Sequence, residues 1–122
     1  MGKKIIVIDD SQTIREQVGT TLRQAGFDIV EAVDGVDGTD VIERTPDAAL
    51  VICDVNMPNR SGLELLEGLR KDDKHKALPV LMLTTEGQPQ LIERARRSGA
   101  KGWLVKPFKA DLLLAAVRKL TS

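Results

Sequence analysis

The sequence predicts an α/β doubly wound fold in one domain spanning residues 1–122, a length and a 42% hydrophobic content that suit one compact core. Three observations carry it. Five short apolar runs recur along the chain, helical periodicities fill the intervals between them, and four of the runs end in carboxylate, hydroxyl or lysine side chains.

In chain order, Ile5-Ile6-Val7-Ile8 is the first strand and stops at Asp9-Asp10. Ser11 is placed to cap a helix whose apolar stripe is Ile14, Val18 and Leu22, with Gly26 at its C-terminal end. Ile29-Val30 is the second strand. Val36 to Arg44 is the sparsest helical pattern, with few apolar residues and a stop before Pro46. Leu50-Val51-Ile52 forms the third strand and leads to Asp54. Ser61 then caps a helix carrying Leu63, Leu66 and Leu69. Val80-Leu81-Met82-Leu83 is the fourth strand, ending in Thr84-Thr85; Ile92 and Ala95 mark the next helix, which closes at Gly99. Trp103-Leu104-Val105 leads to Lys106-Pro107, and Leu113, Ala116, Val117 and Leu120 give the last helix. Four of the runs are near-continuous rather than alternating, as expected of strands buried on both faces of a parallel sheet. Five strand-then-helix repeats with right-handed crossovers put helices on both faces and gather the strand-to-helix loops at the carboxyl edge.

Composition narrows the function. The single cysteine, Cys53, lies inside an apolar run and is expected as a packed thiol in a reducing compartment. The apolar stretch after Lys3-Lys4 is too short for a secretory signal, and no run approaches membrane-spanning length, so a soluble cytoplasmic monomer is expected. A formal net charge of zero argues against a dedicated nucleic-acid binder. Residues 1–85 carry 10 basic and 15 acidic side chains, and residues 86–122 carry 8 basic and 3 acidic. Such a bias is most simply two solvated faces of opposite sign.

The strand ends carry the chemistry. Asp9, Asp10 and Asp54 converge at one edge, where two unit charges ~4 Å apart repel by about 4 kcal/mol at an effective dielectric of ~20. A cation is therefore expected among them, and an all-oxygen ligand set with room for water and phosphate matches magnesium. Lys106 adds a second positive charge. A carboxylate flanked by magnesium, a lysine and a hydroxyl is an arrangement for phosphoryl transfer, with Asp54 at the middle strand's end as the nucleophile.

Asp9-Asp10, Asp54-Val55-Asn56-Met57-Pro58 with Gly62, Thr84 and Lys106-Pro107 resemble the response-regulator receiver pattern over the whole chain. The resemblance implies a flavodoxin-like (βα)5 sheet of strand order 2-1-3-4-5 and a phosphorylation switch, not an enzyme acting on other substrates. It implies that Asp10, Asp54 and the Asn56 carbonyl hold Mg2+ directly and that Asp9 helps through water. It further implies that Thr84 meets the phosphoryl group, that Lys106 pairs with it, and that Pro107 follows a cis peptide bond aiming the lysine. A sensor histidine kinase of a two-component system would be the donor. The target would dock on the face of helix 4, strand 5 and helix 5. Trp103 stands where the family usually has Tyr or Phe as a rotating switch, and Thr85 is larger than the usual small residue. Asp10-Ser11-Gln12-Thr13-Ile14-Arg15 and Leu83-Thr84-Thr85-Glu86 are most similar to chemotaxis-type stand-alone receivers, with Asn56, Thr85 and Glu86 tuning hydrolysis.

Three rivals share parts of this pattern. A haloacid-dehalogenase-type phosphatase also uses an Asp nucleophile with magnesium, but needs a second acid where Asn56 stands. A flavodoxin-type electron carrier would need phosphate donors where the first loop is acidic. An unphosphorylated pseudo-receiver would lack a site residue, and none is missing. His75, among Asp72, Asp73, Lys74 and Lys76, is expected as a solvated surface residue, and Met57 and Met82 as core filler.

Overall fold

The computed structural model describes residues 2–85 and 89–122. Five strands and five helices alternate: β1 (Lys4–Ile8), α1 (Gln12–Gln24), β2 (Asp28–Ala32), α2 (Gly35–Arg44), β3 (Ala48–Asp54), α3 (Gly62–Lys71), β4 (Val80–Thr84), α4 (Pro89–Arg97), β5 (Gly102–Val105) and α5 (Ala110–Thr121). The strands form one parallel sheet in the order β2-β1-β3-β4-β5, the order the family resemblance implies.

Alternation along each strand builds the two cores. Ile6, Ile8, Val51, Cys53, Val80 and Met82 pack with Val41 and Ile42 of α2, four leucines of α3 and Ala95 of α4. Their neighbours Ile5, Val7, Leu50, Ile52, Leu81 and Leu83 point the other way, onto Val18 and Leu22 of α1 and Leu113 and Val117 of α5. Strands buried on both faces have no use for polar side chains until they end, which is why the carboxylates and Thr84 appear at the carboxyl edge.

Local signals set the helix ends. The Ser11 side chain accepts from Ile14 N, and Ser61 forms a reciprocal cap with Glu64 at the start of α3. α2 forms despite its sparse pattern because the Asp34 carboxylate accepts from Asp37 N at 2.8 Å and fixes the first turn. Gly26 and Gly99 hold φ of 97° and 96°, the left-handed conformation expected of residues closing α1 and α4. Cys53 is buried, as expected, and burial beside the Asp54 and Asp9 carboxylates pushes its thiol far up, so it is an inert core group.

One expectation is overturned. The His75 side chain is only 11% exposed, its Nδ1 3.1 Å from Asp72 Oδ2 and 3.7 Å from Glu43 Oε1. Its charged neighbours in sequence gave the impression of a solvated loop. The turn after α3 instead folds the ring inward, with His75 N donating to the Asp72 carbonyl.

Candidate functional site

Sheet register brings the strand ends together. Ile8 pairs with Cys53, Asp54 with Leu83 and Thr84 with Val105. Asp9, Asp54, Thr84 and Lys106 thus end four adjacent strands on one edge. The backbone ties the loops there: Val55 N donates to the Leu83 carbonyl at 2.9 Å and Lys106 N to the Thr84 carbonyl at 2.6 Å.

One carboxylate oxygen from each of Asp9, Asp10 and Asp54 lies within 4.8 Å of the others. Asp9 is fully buried, Asp54 nearly so, and Asp10 is exposed. Lys106 Nζ donates to Asp9 Oδ2 at 2.8 Å and stands 3.5 Å from Asp54 Oδ2. The other Asp9 oxygen, Oδ1, accepts from Ser11 N at 2.9 Å, so both oxygens of the buried group are occupied. The Asn56 N–H donates to Asp54 Oδ1 at 3.4 Å. Burial, and next the charge on Asp9, raise the Asp54 carboxyl above its ordinary value, while the Lys106 ammonium opposes them.

These groups line a cleft of about 700 Å³ that also takes in Asn56, Thr85 and Pro107 and runs on between Ile14, Gln17 and Thr21 of α1 and Phe108 and Ala110 at the start of α5. The Lys106–Pro107 peptide is cis, as expected. Thr85 lines the cleft, whereas Thr84 is fully buried. By strand alternation Thr84 shares the face of Val80 and Met82, the face on which Trp103 of β5 also packs. The Trp103 Nε1–H is buried and has no hydrogen-bond partner among the described residues. Glu86 lies outside the described residues.

The donor set fits a hard divalent cation. It is all oxygen, it mixes buried and exposed carboxylates, and the cleft leaves room for water or phosphate.

Sequence reasoning missed two residues that shape the site. Arg15 Nη1 donates to the Asp9 carbonyl at 2.6 Å while its Nε holds Glu31 at 3.1 Å, so the guanidinium fixes the peptide joining the two acids. Arg15 stood in the stretch that resembles chemotaxis-type receivers but was given no role. Gly62 belongs to the recognised pattern but was given no role. Its N–H donates to the Val55 carbonyl, and a Cβ there would stand 2.2 Å from the Asp54 carbonyl oxygen. Only glycine lets α3 start against the end of β3.

Comparison with known proteins agrees with this geometry. Residues 5–118 match the family model described as response regulator receiver domain. The chain is 36% identical over 111 residues to the chemotaxis protein CheY1 of Helicobacter pylori, covering 90% of each. Among solved structures it resembles chemotaxis protein CheY4 of Vibrio cholerae, with a TM-score of 0.92, 36% identity, and 98% and 99% of the two chains covered. It also resembles a chain of the CheX-CheY-BeF3-Mg complex from Borrelia burgdorferi, with a TM-score of 0.91, 26% identity, and 98% and 90% covered.

Proposed function

Because the chain belongs to the response regulator receiver family, we propose that it works as a cytoplasmic receiver in which Asp54 is the phosphoacceptor and chemotaxis is the pathway served. The observation that carries the assignment is the Asp54 carboxylate at the end of the central strand, 3.5 Å from Lys106 Nζ and clustered with Asp9 and Asp10.

An Asp54 carboxylate oxygen attacks phosphorus in line, the donor's phosphorus–nitrogen or phosphorus–oxygen bond breaks, and the leaving group departs on the opposite side. A sensor histidine kinase is the physiological donor. Lys106 balances charge on the transferred group, and Asp9 keeps that ammonium in place through its 2.8 Å contact. Asp9, Asp10, Asp54 and the Asn56 carbonyl would hold Mg2+, which when bound neutralises the phosphoryl oxygens and the acid cluster. Asn56 and Thr85, both lining the cleft, control water's approach to the acyl phosphate, and we extend that role to Glu86. The chain turns over only its own phosphoryl group and is not an enzyme in the wider sense.

Output runs through Thr84 and Trp103. Both belong to the sheet face that carries α4, and a cavity of about 200 Å³ between Trp103, Ile92 and Arg96 gives the indole somewhere to turn. The face of α4, β5 and α5 presents Arg97, Lys101 and Lys109 beside the exposed Val105 and Leu112. It suits an acidic, partly apolar target peptide.

The test is incubation with acetyl phosphate with and without magnesium, followed by mapping of the modified residue. One hydroxylamine-labile phosphoryl group on Asp54, absent without metal and absent in Asp54→Asn, is expected. Equal labelling of that variant would overturn the assignment. On activation the Trp103 emission should change, and Trp103→Ala should keep phosphorylation while weakening its coupling to target binding. Unchanged emission together with intact coupling in the variant would make the indole core packing alone.

A further inference from the structure

A second group of ligand-type side chains lies at the opposite edge of the sheet, where the strands begin. Glu43 is in the last turn of α2, Asp72 ends α3, and His75 sits in the turn leading to β4. We propose that Glu43, Asp72 and His75 form a metal site separate from the acidic cleft, one that takes a divalent transition-metal ion of the zinc class.

The donor atoms are already near the required spacing. One ligand atom from each of the three residues lies within 4.8 Å of the others. His75 Nδ1 is 3.1 Å from Asp72 Oδ2 and 3.7 Å from Glu43 Oε1. Two ligands bound to zinc at ~2.0–2.2 Å at a tetrahedral angle sit roughly 3.4 Å apart. The three could close on an ion by side-chain adjustment alone.

The chemistry also separates the two sites. The cleft at Asp54 offers oxygen only, whereas imidazole nitrogen selects zinc, nickel or copper over magnesium. Two carboxylates beside a neutral imidazole match the charge of a divalent ion. Two neighbouring cations are engaged elsewhere, Arg44 with Asp40 at 2.9 Å and Lys76 with Asp73 at 3.5 Å.

The surroundings hold the ligands in place. His75 N donates to the Asp72 carbonyl at 2.9 Å, Lys74 N to Asp72 Oδ1 at 3.0 Å, and Arg70 Nη1 to the His75 carbonyl at 3.2 Å. The ring is largely buried, while the side chains of Asp72 and Glu43 are 39% and 48% exposed. An ion and its remaining waters therefore have an open approach. A bound ion would tie the end of α2 to the α3–β4 connection.

The experiment is calorimetric titration of zinc into the whole chain in saturating magnesium, which keeps the cleft filled. One equivalent should bind. Glu43→Gln should weaken uptake severalfold and His75→Ala abolish it. Asp54→Asn should leave zinc uptake unchanged, since it alters only the other cluster. Acetyl phosphate labelling of His75→Ala at Asp54 establishes that this variant is folded. Uptake retained in His75→Ala but lost in Asp54→Asn would place zinc in the cleft and overturn the proposal. Absence of saturable uptake by the wild type would overturn it too, leaving the cluster as a hydrogen bond between the imidazole and Asp72 with Glu43 nearby.

Discussion

Replacing Asp54 by Asn keeps the shape of the side chain and removes its charge, and it should stabilise the metal-free protein at neutral pH. Lys106 Nζ at 3.5 Å attracts the carboxylate by ~4.7 kcal/mol at an effective dielectric of ~20. Asp9, with an oxygen no more than 4.8 Å away, repels it by at least ~3.5 kcal/mol on the same scale. Asp10 lies as near but is exposed, so water screens its repulsion; the two buried contributions nearly cancel, and desolvation decides the sign. Asp54 is 6% exposed, and burying a polar group without full compensation costs ~1–3 kcal/mol in mutational series. A gain on the order of 1 kcal/mol is expected for Asp54→Asn.

The pH dependence follows from the direction of the Asp54 shift. Its carboxyl is raised in the folded state, first by burial and then by Asp9. The folded protein therefore binds this proton more tightly than the unfolded chain, and its contribution to wild-type stability is lost as pH rises through the folded value. The advantage of the Asn variant should be full above that value and vanish below the unfolded value of about 3.9. Magnesium should reverse the order, because only the intact cluster gains its binding energy in full. Urea denaturation in EDTA across a pH series, repeated with magnesium, measures all of this. A less stable Asn variant at pH 7.5 without metal, or an advantage undiminished in acid, would refute the balance.

Three further substitutions probe the supports of the site. Lys106→Met leaves the fully buried Asp9 without its cation and should cost about 3–5 kcal/mol at neutral pH. In urea denaturation, a loss under about 1 kcal/mol would mean that the pair behaves as an exposed one. Arg15→Ala frees the Asp9 carbonyl and should weaken magnesium binding by about 10-fold or more, as loss of outer partners does at other metal sites. Following Trp103 emission during a magnesium titration checks this, and unchanged affinity would assign Arg15 a purely structural part. Gly62→Ala forces a Cβ to within 2.2 Å of the Asp54 carbonyl oxygen, so it should cost about 1–3 kcal/mol of overpacking and slow labelling of Asp54. Normal melting and labelling would show that the junction can spread.

The sheet was legible because a strand buried on both faces must be apolar until it ends, which makes Asp54 and Lys106 visible as interruptions. Ser11 and Ser61 were equally plain, since a cap acts on its own neighbours. What escaped was nonlocal. Arg15 reaches back to the Asp9 carbonyl just past the end of β1, and His75 lies near Glu43 of another helix. Nothing in either local pattern records such a partner. Thr84 and Thr85 look equivalent in sequence, yet strand alternation sends the first into the protein and leaves the second on the cleft. The sparse stripe of α2 was offset by Asp34, whose capping bond holds the first turn where apolar spacing says little.

The unequal anchoring of the helices has its own consequence. α3 buries Gly62, Leu63, Leu65, Leu66 and Leu69, whereas Ala95 is the one buried residue of α4, and α4 is tied to α3 by the Glu67 carboxylate accepting from Arg94 and Ser98. With one buried residue against five for α3, α4 should open at a lower free energy than α3. Amides of α4 should exchange with deuterium well before those of α3. Release of α4 would therefore take only Ala95 and the partly buried Leu91 from the first core and would leave the second core untouched.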